Sequence, residues 1–147
     1  MIDDFKAPEH AFLSNMYPCL IRWEGLLFKC SEAAYMAAKC SDPAERQRFV
    51  GLDGYKAKRQ GRMVVLRRDW NAVRVAIMGD ILRLKFPSDM RDANSPLTDM
   101  LLRTGDEELV DGNTWGDTFW GVCNGVGQNT LGKLLMARRS ELASAPY

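Results

Sequence analysis

Glu32, Tyr35, Met36 and Lys39 follow one another at i, i+3, i+4 and i+7, so a helix through them sets all four on one face. The carboxylate and the amine then lie two turns apart, about 10 Å along the axis at 1.5 Å of rise per residue. Such a pair can bracket one substrate atom, the carboxylate moving protons and the amine, when neutral, acting as a nucleophile. Alanines at 33, 34, 37 and 38 leave few large side chains to cover that face. The placement also has a plain structural explanation. Glu32 suits the positive N-terminus of a helix and Lys39 its negative C-terminus, and periodicity alone favours that account.

A second chemical segment runs from Asp111 through Asn113, Trp115, Gly116 and Asp117 to Trp120 and Gly121. Glycines in this run make a turn that presents aromatic faces beside carboxylates and an amide, and a base or nicotinamide ring stacks on such a face for about 1–3 kcal/mol. The competing explanation is a Gly/Asn hairpin anchored by its tryptophans. Trp120, inside an apolar stretch, reads as core, whereas Trp115 suits either role. A third feature is cationic: Lys56, Lys58, Arg59, Arg62, Arg67 and Arg68 precede the first acid, Asp69. Such a cluster can hold phosphates or form a solvated basic face. A fourth motif, Gly127-Gln-Asn-Thr-Leu-Gly132-Lys133, matches the opening of a phosphate-binding loop. Leu134 stands next, where Ser or Thr should ligate Mg²⁺, so the metal chemistry of a nucleoside triphosphatase is missing. Glycines turning into a helix explain the motif, with an anion at the helix N-terminus left possible.

Local elements must position these groups. Two apolar runs, 19–23 and 26–30, joined by Glu24-Gly25, predict a β-hairpin. Ser31 has the chemistry of an N-cap for a helix over 32–40. Asp42-Pro43, with Glu45 at capping-box spacing, predicts the next helix, ending near Gly51. Further helices are expected over 55–62, 71–86, 95–104 and 130–143, with short strands at 109–110 and 118–122 around the turn at 112–116. The expected fold is α+β: one helix-rich domain over residues 1–147 with a few short antiparallel strands, and no repeating βα units.

Composition narrows the functional classes. A chain of 147 residues with 46% hydrophobic and 27% charged residues is an ordinary globular protein large enough to bury a core. A net charge of +1 argues against a generic nucleic-acid coat or a polybasic membrane binder. The N-terminus is acidic, with no apolar leader or membrane span, so the expectation is a cytoplasmic protein without membrane attachment. Cys19, Cys30, Cys40 and Cys123 are scattered and read as free thiols. One histidine, His10, and scattered cysteines do not make a metal site, so neither metal nor cofactor is expected. The single histidine also removes most Ser-His-Asp and Cys-His schemes, leaving acid–base work to carboxylates and lysines.

Several of these segments together resemble one known family. Phe12-Leu-Ser-Asn-Met-Tyr-Pro18 is similar to its FLSNFYP opening, and Ser31-Glu-Ala-Ala-Tyr-Met-Ala-Ala-Lys39 to its xEHAYQAxK helix. Ala57-Lys-Arg-Gln-Gly-Arg62 with Leu66-Arg-Arg-Asp-Trp70 resembles its AKxxGRxxxLRxDW segment. Thr104-Gly-Asp106, the run from Glu108 to Asn113, Trp115-Gly-Asp-Thr-Phe-Trp-Gly-Val122 and Leu131-Gly-Lys-Leu-Leu-Met136 complete the series. The matches fall in order over residues 12–136, and the chain is identified as a member of the NADAR, or YbiA-like, family.

This resemblance implies an α+β domain that cleaves N-glycosidic bonds. Two substrates are associated with the family: ADP-ribose on guanine in nucleic acid, taken as the first expectation, and a ribosylamino-pyrimidine phosphate of riboflavin synthesis. A non-catalytic module binding ADP-ribose or a nucleotide is the third reading. No obligate protein partner is implied. Both substrates carry the sugar on an exocyclic amine, which can open to an imine that a neutral lysine exchanges into as a Schiff base. Carried over by position, Lys39 is the amine, with Lys58 in reserve, and Glu32 moves protons. Asp117 stabilises positive charge or positions water, and Trp115 stacks on the base. Ser14, Asn15, Tyr35, Arg62 and Asn113 join Lys58 and Trp115 as binding residues. An oxocarbenium route through Glu32 and Asp117 needs no lysine and stays open. Ala33 and Met36 stand where the family usually has histidine and glutamine. A histidine that only packs can be replaced without loss; one that binds substrate would leave a changed specificity or rate.

Overall fold

The computed structural model describes residues 1–144, which gather into two units. One is Asn15–Pro87; the other joins residues 1–14 to the chain from Ser88 onward. The fold is α+β, with five α-helices, two short 3-10 helices and two two-stranded sheets among the described residues.

The Asn15–Pro87 unit opens on the hairpin of β1 (Pro18–Trp23) and β2 (Leu26–Cys30). Glu24 and Gly25 take φ of 50° and 78°, the left-handed pair a two-residue hairpin turn requires, and Trp23 faces Leu26 across it. Ile21 and Phe28 pair on the inner face and are fully buried. The register slips between Pro18 and Ile21, a bulge beside Cys19.

Helix α1 (Ser31–Ala38) packs against the hairpin, the 3-10 helix Pro43–Phe49, α2 (Gly54–Gly61) and α3 (Trp70–Lys85). All eight of its residues are buried, because alanines at 33, 34, 37 and 38 admit neighbours on every side. Two expectations shift here. Cys30 holds the N-cap position without a side-chain cap, and Ser31 is already helical with its hydroxyl buried. The helix ends at Ala38 because Cys40 leaves it to bridge Leu66. Asp42 caps as expected, its Oδ1 accepting from the Ala44 N–H, but the helix it opens is 3-10 rather than α. In α3 the apolar stripe carries Ile77, Met78, Ile81 and Leu82 inward together with Lys85, which no periodicity announced.

In the other unit, the 3-10 helix Pro8–Leu13 packs on α4 (Ser95–Arg103), which itself meets α5 (Thr130–Ser144). The strands differ from expectation in place and sense. β3 (Gly112–Asn113) and β4 (Val122–Cys123) pair in parallel, not antiparallel, and Leu109 instead bridges Ile2. The 118–122 stretch is mostly loop, so Trp120 is only half-buried, its ring edge-on to Phe119. The four cysteines are free.

The Gly127–Lys133 motif is explained by packing. A Cβ on Gly127 (φ +155°) would lie 2.1 Å from the Gly121 carbonyl oxygen, and one on Gly132 would lie 2.2 Å from that of Leu109. Both glycines serve close backbone approach, not a phosphate cradle.

Candidate active site

Asn15, Glu32, Tyr35, Lys39, Lys58 and Arg62 lie in the Asn15–Pro87 unit, where Lys39 is within electrostatic reach of Glu32, Arg62 and Lys58. Glu32 sits in the first turn of α1, only 9% exposed, and its N–H donates to the Asn15 carbonyl at 3.0 Å. That bond ties the 12–18 motif to the helix start, where the dipole favours a carboxylate. The Asn15 side-chain Oδ1 is buried and accepts no protein hydrogen bond.

Lys39 caps the other end of α1 and is half-buried. Burial pushes its amine below the ordinary lysine value, Arg62 and Lys58 push it further the same way, and Glu32 opposes them. The backbone around it is fixed by a strap from downstream. The Arg67 N–H donates to the Lys39 carbonyl at 2.9 Å, the Ser41 N–H to that of Val65 at 2.9 Å, and Arg67 forks onto Asp69 at 2.7 and 3.1 Å. The strap role of Arg67 was not readable from spacing, which marked it only as one of the basic cluster.

Helix α2 delivers the two cations. Gly61 makes this possible, since a Cβ there would fall 2.2 Å from the Met36 sulfur. Met36, in place of the family's glutamine, is thus a packing residue, 5% exposed under α2. Ala33 is fully buried, so a histidine there would have to be buried too. Tyr35 is also 5% exposed, its ring centroid 5.0 Å from that of Trp70, so its ring is largely taken up in packing.

The remaining candidates, Ser14, Asn113, Trp115 and Asp117, lie in the other unit. Ser14 ends the Pro8–Leu13 turn, donating its N–H to the Ala11 carbonyl at 3.0 Å. Asn113 is spent on the loop: its amide donates to the carbonyls of Asp117 at 2.7 Å and Val122 at 3.3 Å, and its Oδ1 accepts from the Asp117 N–H at 3.0 Å. One Asp117 oxygen, Oδ1, accepts the N–H groups of Phe119 at 3.2 Å and Trp120 at 3.0 Å. The loop so braced presents Trp115, 55% exposed, with the Lys6 amine 4.6 Å from its ring centroid. Asn129, a variable position of the Gly127–Lys133 motif and so unmarked by it, holds the base of the loop. Its Oδ1 accepts from the Asp111 N–H and its amide donates to the Leu109 carbonyl, each at 2.9 Å. The signal available for it was an asparagine just ahead of a helix, and its φ is 54°.

Comparison with known proteins bears on this geometry. The NADAR domain family matches residues 4–143, through both units. The chain belongs to that family. It is 32% identical over 139 residues to the N-glycosidase YbiA of Escherichia coli, covering 92% of this chain and 83% of that one. The NMR structure of E. coli YbiA superposes with a TM-score of 0.83 at 28% identity, over 100% of this chain and 89% of that one. A riboflavin biosynthesis protein of Vibrio vulnificus is 39% identical over 143 residues, and an N-glycosidase of Nostoc punctiforme 42% over 78. The chain spans only 37% and 46% of the length of these two relatives. Among the described residues no helix is long and apolar enough to cross a membrane.

Proposed function

We propose that this NADAR protein hydrolyses the N-glycosidic bond between a ribosyl carbon and an exocyclic amine, with Lys39 as nucleophile. The observation that carries this reading is the Lys39 amine, lowered by burial and by Arg62 and Lys58, on the helix face it shares with buried Glu32. In the reaction, the sugar ring opens as its oxygen takes a proton from Glu32, giving an iminium at the anomeric carbon. Neutral Lys39 adds to that carbon, and the exocyclic amine leaves with the proton Lys39 gives up. Water then adds to the lysine Schiff base, one of its protons passing to the Lys39 nitrogen as that amine leaves and the other back to Glu32, so one water is consumed and base amine and sugar are released. Asn15, whose backbone carbonyl holds the Glu32 N–H, is assigned to the ribose, and Arg62 and Lys58 serve a phosphate as well as lowering the amine.

For the substrate, the first reading is ADP-ribose on guanine in nucleic acid, supported by the exposed run of Lys56, Arg59, Arg62 and Arg68 on and after α2. A small ribosylamino-pyrimidine phosphate is the second, favoured by the riboflavin biosynthesis names of the Vibrio relative and of a Zea mays one. The test incubates the protein with ADP-ribosylated DNA and, separately, with the pyrimidine riboside phosphate, following sugar release, with borohydride added to trap the imine on Lys39. Release from one substrate and a Lys39 adduct are expected. Tight ADP-ribose binding with no release from either would overturn the enzyme reading.

A further inference from the structure

The Trp115 platform carries a cation that the reaction scheme does not use. Lys6 places its Nζ 4.6 Å from the Trp115 ring centroid, while the ring stays 55% exposed. This is no stray side chain, because the segment bearing it is bolted down. The Ile2 N–H donates to the Glu108 carbonyl and the Val110 N–H to that of Ile2, each at 2.8 Å. Gly112 lets the segment lie against β3, since a Cβ there would come within 2.3 Å of the Asp3 carbonyl oxygen. The Lys6 N–H is then fixed on the Asp4 carboxylate at 2.9 Å. The backbone of Lys6 is held; only its stem can swing.

We propose that Lys6 and Trp115 form a subsite for an aromatic ring that bears a phosphate: the ring displaces the ammonium from the indole face, and Lys6 turns to the phosphate. The proposal rests on the reading that Trp115 stacks on the base, and adds Lys6 to the binding residues. A ligand with a phosphate exchanges a cation–π contact for a charge-assisted hydrogen bond, whereas a ligand without one must simply evict the ammonium. The subsite therefore selects nucleotides over nucleosides.

The experiment measures binding of GMP and guanosine to the full chain by calorimetry, in wild type and in Lys6→Ala, Lys6→Arg and Trp115→Ala. Lys6 is exposed, so its substitution leaves the fold intact. An exposed cation–π contact corresponds to about two- to fivefold in affinity, so Lys6→Ala tightens guanosine by that factor. The same change weakens GMP about tenfold through the lost charged hydrogen bond, and Lys6→Arg retains GMP binding. An unchanged GMP-to-guanosine ratio in Lys6→Ala, while Trp115→Ala abolishes binding of both, overturns the role of Lys6 and leaves the stacking role standing. Unchanged guanosine binding in Trp115→Ala, or no GMP binding by wild type at millimolar concentration, overturns both.

Discussion

Replacing Lys39 with methionine, a straight apolar chain of similar length, separates what this residue does for chemistry from what it does for the fold. Loss of a positioned proton-handling or nucleophilic group lowers turnover by about 10²–10⁴-fold, or roughly 3–5 kcal/mol in the barrier. Stability is expected to move the other way. The folded-state value of Lys39 lies below that of the unfolded chain, because burial and the Arg62 and Lys58 charges disfavour its ammonium. At neutral pH the folded state therefore carries a penalty for that charge, and stability rises with pH between the folded and unfolded values, where the unfolded chain binds more protons. Methionine removes the penalty. Lys39 is only half-buried, so solvent screens it, and the gain stays below about 1 kcal/mol. For a chain of this size that is no more than about 2–4 °C in midpoint. Single-turnover sugar release and a thermal melt of both proteins measure the two effects. Turnover within threefold of wild type would refute the nucleophile, and a midpoint lowered by several degrees would refute the electrostatic account.

The remaining expectations come from neighbouring contacts. Activity should rise with pH as Lys39 deprotonates, and Arg62→Ala, by removing a cation that lowers the amine, should move that limb to higher pH; a pH–rate profile of both proteins checks it. Glu32→Gln should lower single-turnover release by about 10²-fold or more while the protein stays folded, since glutamine cannot move the proton; retained turnover removes Glu32 from the scheme. Asn129→Ala leaves the Leu109 carbonyl and Asp111 N–H without their partner and puts alanine at a φ of 54°. By chemical denaturation it should cost about 3–5 kcal/mol, and a loss under 1 kcal/mol would show that the loop is braced elsewhere.

Part of the candidate site was legible in residue type and spacing. Glu32 and Lys39 share a face because helical periodicity is a property of spacing, and the hairpin turn was readable from two apolar runs separated by two residues, of which Gly25 takes a left-handed position without strain. The motif series named the family. Other parts were not legible. Nothing in the spacing shows that Tyr35 is taken up by Trp70, that Asn113 is consumed by Asp117 and Val122, or that Met36 fills the space over Gly61. Each depends on a partner brought in by the fold. The parallel pairing of β3 and β4 was missed for a similar reason: two-residue strands carry too little alternation to declare direction.

The sequence by itself determined the chemical inventory: one histidine, a carboxylate and an amine at helical spacing, a tryptophan in a glycine-bounded loop and a basic run between them. These are local facts of residue type and interval. Only the tertiary structure decided the state of the amine. Its lowered value is the sum of desolvation by the elements packed on α1 and the fields of Glu32, Arg62 and Lys58, and such a sum has no local signature.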